Sequence, residues 1–156
     1  MAATPSTSTV LPATPAASRW LGYAGLLPFV AGAAATLAGG ELGAAGAAAL
    51  AAYAAVIVSF LGGIHWGLGF VRDEPARFAW GVVPSLVAWP ALLLPGAAAL
   101  ALLAAMLVVC YAVDRRVYPR HGLQRWLTLR LHLSAVAAAC CALAAIAAGG
   151  AWGAGA

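Results

Sequence analysis

Apolar positions along this chain come in five long runs, separated by tight turns or short charged segments. The first runs from about Trp20 to Ala38, carries Pro28, and ends at Gly39-Gly40-Glu41. The second runs from about Leu42 to Val71 and closes at the polar stretch Arg72 to Arg77. The third covers Phe78 to about Leu94, with Pro84 and Pro90 inside it, and Pro95-Gly96 marks a turn. The fourth covers Ala97 to Val113, and the most polar segment, Asp114 to Arg125, separates it from a fifth run over Trp126 to Gly149. A membrane-spanning helix takes about 20 apolar residues. The pattern therefore predicts an all-α integral membrane bundle of five transmembrane helices over residues 19–150. The second run exceeds one bilayer crossing and is expected to tilt or to begin a turn late. Residues 1–18 are rich in Ala, Thr, Ser and Pro, with Pro5, Pro12 and Pro15 breaking any helix. They read as a disordered tail without a secretory or mitochondrial targeting pattern. Residues 151–156 read as a short C-terminal tail.

Composition supports this picture. Of 156 residues, 65% are apolar and only 8% charged, and mean hydropathy is +0.97. Soluble domains are roughly half apolar and a quarter charged, so a soluble enzyme, a disordered chain and a nucleic-acid binder are excluded. The net charge is +4, its positive charges are all Arg, and their placement is one-sided. With five spans, Arg19, Arg72, Arg77, Arg115, Arg116, Arg120, Arg125 and Arg130 all fall on one side, and no basic residue falls on the other. The positive-inside rule then puts the N-terminus in the cytoplasm and the C-terminus on the far side. Trp20, Trp66, Trp80 and Trp126 sit at the cytoplasmic ends of four spans, as interfacial indoles do, and Trp152 marks the far side. The basic 114–125 loop is expected to attract anionic lipid or an acidic partner surface.

Helices in lipid associate through small residues and polar contacts. Gly32, Thr36 and Gly40 repeat every fourth residue on the first span; Ser59, Gly63 and Gly67 do so on the second. The two spans are joined by a tight turn, so these faces are expected to meet in an intimate hairpin, which Gly63→Leu would disrupt. The prolines of the third span predict a kink.

Ionisable groups within a bilayer are costly and point to function by default. Here they are His65, Asp114, Arg130 and His132, all toward the cytoplasmic leaflet. Arg130 and His132 point about 200° apart on a helix, so they cannot share one pocket. Arg130 lies on a small, weakly polar face with Ser134, Ala137 and Cys141, and is expected to point into the bundle. It either pairs with Asp114, clamping spans four and five, or snorkels to phosphate. His132 faces another helix or snorkels. His65, beside Trp66 in the glycine-rich stretch 62–67, can hydrogen-bond across helices, hold a headgroup or relay a proton. Cys110, Cys140 and Cys141 lack metal-ligand spacing and read as buried small hydrophobes. No nucleophile constellation, phosphate loop or paired intramembrane acids occur, so neither an enzyme nor a resident cofactor or metal is expected.

Several segments carry a family resemblance. They are Leu21 through Phe29, Tyr53 through Ser59-Phe60-Leu61-Gly62-Gly63-Ile64-His65-Trp66-Gly67, Val83-Pro84-Ser85-Leu86 with Trp89, Asp114-Arg115, and Leu129-Arg130 followed by Leu133-Ser134. Together they resemble a family of small proteobacterial inner-membrane proteins of unknown function, to which a mitochondrial transmembrane protein of animals is related. The resemblance covers most of the chain from Leu21 to Val136 and implies a five-helix, multi-pass inner-membrane protein without naming an activity. The expected function is a small binding or assembly module. It would engage a lipid, a quinone-like molecule or a partner helix at the cytoplasmic leaflet. The alternative is a subunit of an oligomeric transporter or channel. A membrane-protein partner or a second copy of the chain is compatible with either.

Overall fold

The computed structural model describes residues 15–153, and among these every regular element is helical. In chain order the α-helices are α1 (Ala16–Ala24), α2 (Leu27–Ala38), α3 (Gly40–Arg72), α4 (Pro75–Ala91), α5 (Gly96–Val117) and α6 (Leu127–Gly153). Two 3-10 turns, Tyr118–His121 and Gln124–Trp126, join α5 to α6. The tail expected over residues 1–18 lies outside the described residues up to residue 14, and α1 already begins at Ala16. Trp152, expected as a far-side anchor, sits in the last turn of α6, but its side chain lies outside the description. Helix α6 also runs into the segment expected as the C-terminal tail.

The first apolar run is not one helix. Pro28 has no N–H to donate, and its ring crowds the carbonyl four residues back. The chain accordingly breaks at Gly25-Leu26, where Leu26 N–H bonds to Tyr23 O at 3.0 Å and α2 starts with Pro28 in its first turn. The Tyr53 hydroxyl donates to Gly25 O at 2.9 Å and holds the break against α3. By contrast α4 stays helical through Pro84 and Pro90, with Pro84 buried against α3.

Helix α3 is the axis of the bundle and packs against α2, α4, α5 and α6. Its 33 residues span about 50 Å at the α-helical rise, well beyond a hydrocarbon core of roughly 30 Å. Four helical segments are long and apolar enough to cross a membrane: Ala16–Ala38, Gly40–Arg72, Gly96–His121 and Gln124–Gly150. The helix over the third apolar run, α4, is shorter, at 17 residues. The core is built of small and branched side chains, including Leu50, Ala54, Val58, Leu100, Leu103, Leu107 and Cys141. Cys110 is buried too, and all three cysteines are free.

Helices α2 and α3 form a close hairpin, through the expected Gly32 and Thr36 of α2 but through different glycines of α3. A Cβ at Gly46 would stand 2.6 Å from Ala35 Cβ, and one at Gly32 would stand 2.9 Å from Leu50 Cβ. Thr36 is buried there, its hydroxyl donating to Gly32 O at 2.7 Å. Gly40 belongs to the turn: Gly39 and Gly40 have φ of +74° and +61°, which side chains rarely adopt. Gly63 and Gly67 face open space, with nothing within 4 Å of a Cβ, so the Ser59–Gly63–Gly67 face does not meet α2. The reason is angular. The α2 contact uses the first half of α3, at Gly43, Gly46 and Leu50. In the second half it is Gly62 and Gly69 that make close contact, and with α4: Gly62 against Gly81, and Gly69 against Phe78.

Gly46→Leu is therefore expected to lower the melting temperature sharply or to prevent folding in detergent, because backbone lies behind the clash. Gly63→Leu is expected to leave melting near the wild-type value. Equal effects of the two would contradict this hairpin.

Candidate functional site

Three of the expected polar residues converge. Asp114 lies in the last turns of α5, 2% exposed. On α3, His65 is 1% exposed, and its Nε2 is 3.0 Å from Asp114 Oδ1. From α6, Arg130 Nε donates to Asp114 Oδ2 at 2.8 Å, and Nη2 stands 2.6 Å from the same oxygen. One carboxylate thus joins three helices. Both oxygens carry partners, which a buried carboxylate requires. With Nε2–H donating to Asp114, Nδ1 of a neutral His65 is a bare acceptor, and it has no partner among the described residues. The Trp80 ring meets the imidazole edge-on, with centroids 6.2 Å apart.

Two further groups extend the cluster. Tyr118, one turn after Asp114, is buried and hydrogen-bonds Arg130. Ser134, one turn after Arg130 on the same face of α6, is 4% exposed, and its hydroxyl has no partner among the described residues. Ser134 lies on the Arg130 face that the sequence pattern predicts, and spacing of four residues from Asp114 is the sequence signal that could have found Tyr118.

Trp66 and His132 stand apart from this cluster. Trp66 is 40% exposed; its Nε1–H donates to Phe78 O at 3.1 Å, and its ring packs on Phe70 and Phe78. It closes the α3–α4 contact. His132 is exposed on the other side of α6, where its Nδ1 lies 3.1 Å from the Tyr23 hydroxyl of α1. The divergence of Arg130 and His132 is the one their spacing requires.

The 114–125 segment is more ordered than an open loop. Asp114 and Val117 are still within α5 and buried. His121 Nδ1–H donates to Val117 O at 3.0 Å, and Nε2 lies 3.2 Å from Glu74 Oε1 at the start of α4. Glu74 also lies 3.3 Å from Arg77 Nε. These contacts tie the α5–α6 connection to the α3–α4 connection, leaving Arg72, Arg115, Arg116 and Arg120 exposed at the same end of the bundle.

Beside the Asp114 cluster an apolar cleft of about 220 Å³ lies under the α1–α2 break, walled by α3 and α6. Phe29, Ile57, Leu61 and Leu133 form much of its surface, and Arg130 and Ser134 are its charged and hydroxylated members. Leu21 and Phe60, both strongly exposed, stand at its rim.

Residues 14–146 match the family model described as "Protein of unknown function (DUF3429)". The chain belongs to the DUF3429 family. Its members share no assigned activity under that description, and the matched region contains the whole Asp114 cluster. Transmembrane protein 69 of Xenopus tropicalis is 37% identical over 84 residues, covering 51% of this chain and 33% of that protein. The chain thus spans about a third of the length of the curated relative it matches. No solved structure matches. A family match, a transmembrane relative and four membrane-length helices together make this DUF3429 chain a multi-pass membrane protein.

Asp114→Asn and Arg130→Gln are each expected to cost about 3–5 kcal/mol, since either leaves a buried charge without its counterion. The double variant is expected to lose clearly less than the sum. Unfolding titrations in mixed detergent micelles measure this, and additive losses would contradict the pairing.

Proposed function

We propose that this protein is a small binding module of a cell inner membrane. It would hold an amphipathic, lipid-like or quinone-like molecule, or a partner helix, at its Arg-bearing end. One observation carries the reading: the apolar cleft under the α1–α2 break abuts the Asp114–Arg130–His65 cluster. Small-molecule sites combine mostly apolar walls with a few placed polar groups, and the cleft has that make-up. The cluster also supports binding over turnover. Both oxygens of its one carboxylate are engaged by the protein itself, which suits a fixed wall better than a proton-transferring group.

Five crossings, with the N-terminus cytoplasmic and the C-terminus on the far side, complete the proposal. The 17-residue α4 reaches about 25 Å. That nearly spans the hydrocarbon core, and the continuing turn to Pro95 adds length. Counting α4 as a crossing puts every Arg on one side, the charge distribution that the positive-inside rule describes. The exposed Arg72, Arg115, Arg116 and Arg120 would then lie against anionic headgroups.

Two measurements test this. Reporter fusions at the two termini are expected to show opposite compartments, the N-terminal one cytoplasmic; matching compartments would remove α4 as a crossing. Gentle purification from the native membrane, followed by native mass spectrometry, is expected to find a retained amphiphile or a stoichiometric membrane-protein partner. A protein that emerges with neither would count against a binding module.

A further inference from the structure

We propose that the cleft under the α1–α2 break binds the uncharged carbonyl end of a long-chain amphiphile, with the Ser134 hydroxyl as hydrogen-bond donor. The proposal rests on the binding-module reading and specifies the chemistry of its ligand.

The first observation is the hydroxyl itself. Ser134 lines the cleft and is 4% exposed, and its Oγ has no partner among the described residues. A buried hydroxyl without a partner loses its hydration for no return, and a helical serine ordinarily bonds a carbonyl one turn back. A donor left free at the wall of a cleft is placed to meet an acceptor that enters it.

The second is charge. Arg130, the cation lining the cleft, already has its counterion: Nε donates to Asp114 Oδ2, and Nη2 stands 2.6 Å from the same oxygen. A phosphate or carboxylate entering here would meet the Asp114 charge behind a guanidinium whose charge Asp114 already balances, in a medium that screens poorly. A carbonyl oxygen asks only for a donor. The remaining wall is apolar, with Leu26, Phe29, Ile57, Leu61, Ile64 and Leu107 along it.

The third is size and access. At about 220 Å³ the cleft is smaller than the roughly 300 Å³ at which pockets enclosing a whole drug-sized ligand begin. It accommodates one end of a molecule whose chain continues outward. Leu21 and Phe60 at the rim are 75% and 65% exposed, so the continuing chain would pass into lipid. Tyr23–His132 and Tyr53–Gly25 pin α1 and the break on either side of this opening.

Uncharged carbonyls on long chains occur in isoprenoid quinones and in ester lipids, and the test separates them. The full chain would be labelled in dodecyl maltoside, a detergent without carbonyls. The probes are a photoreactive decyl-ubiquinone and, separately, a photoreactive monoacylglycerol, with labelled residues mapped by mass spectrometry. Labelling is expected at Phe29, Ile57, Phe60 or Leu61. Stronger competition by unlabelled decyl-ubiquinone assigns the site to a quinone, and stronger competition by monoolein assigns it to an ester lipid. Ser134→Ala is expected to weaken labelling about threefold to tenfold while leaving melting unchanged or raised. Ile57→Trp, which fills the cleft, is expected to abolish it; if that variant does not fold, Ser134→Ala decides. Labelling elsewhere, labelling indifferent to Ser134→Ala, or better competition by dodecyl phosphate would overturn the proposal. So would a lower melting temperature for Ser134→Ala, since the hydroxyl would then be engaged within the protein. If the cleft stays unlabelled while native mass spectrometry retains an amphiphile or partner, this site falls and the binding module stands. If nothing is retained and nothing labels, both fall.

Discussion

The Asp114 carboxylate is the group around which the rest of the bundle is arranged. It is buried at the end of α5, and a buried ion must be neutralised and hydrogen-bonded or the helix that carries it cannot stay in place. His65 and Arg130 meet that demand from two other helices. In a bundle whose buried core is mostly Ala, Leu, Val and Gly, this is the strongest directional constraint. Apolar surface can slide and rotate in lipid at little cost, whereas a charge-assisted hydrogen bond within a close ion pair defines where α6 stands against α5.

The rest of the architecture works around that point. Glycines at 46, 62 and 81 let backbones approach on two sides of α3, which places His65 on the remaining face, toward α5. Glu74 and His121 bind the two connections at the same end, so the segment after Asp114 is held as two short 3-10 turns. The α1–α2 break acts in the opposite sense. Pro28 stops the first helix from running straight, and the cleft opens beneath the break, beside Arg130. A polar cluster whose charges balance from within, next to an apolar opening, is an arrangement that can recognise an amphiphile without exposing a charge to lipid.

The large elements of this fold were legible in the chain itself. Long apolar runs admit little but helices in a membrane, because every backbone polar group there must bond within its own segment. Arg130 as an inward-pointing residue followed from its small-residue face, and its divergence from His132 followed from helical geometry. The family assignment likewise agrees with the residues that suggested it, from the Leu21 segment to Ser134.

What the chain left open was settled by rotation and register, which depend on all the helices at once. Two small faces, Gly32–Thr36 and Gly63–Gly67, look alike in one dimension; only packing put the first against α3 and left the second on open space. Pro28 and Pro84 are the same residue type in similar runs, yet one ends a helix and the other is absorbed against Gly62. His65 and Asp114 are 49 positions apart, and nothing local couples them. Sequence determines which segments are helical and which residues each face presents, because those follow from short-range sterics and periodicity. Which face meets which is a property of the assembled bundle, so the three-helix carboxylate site and the cleft beside it exist only there.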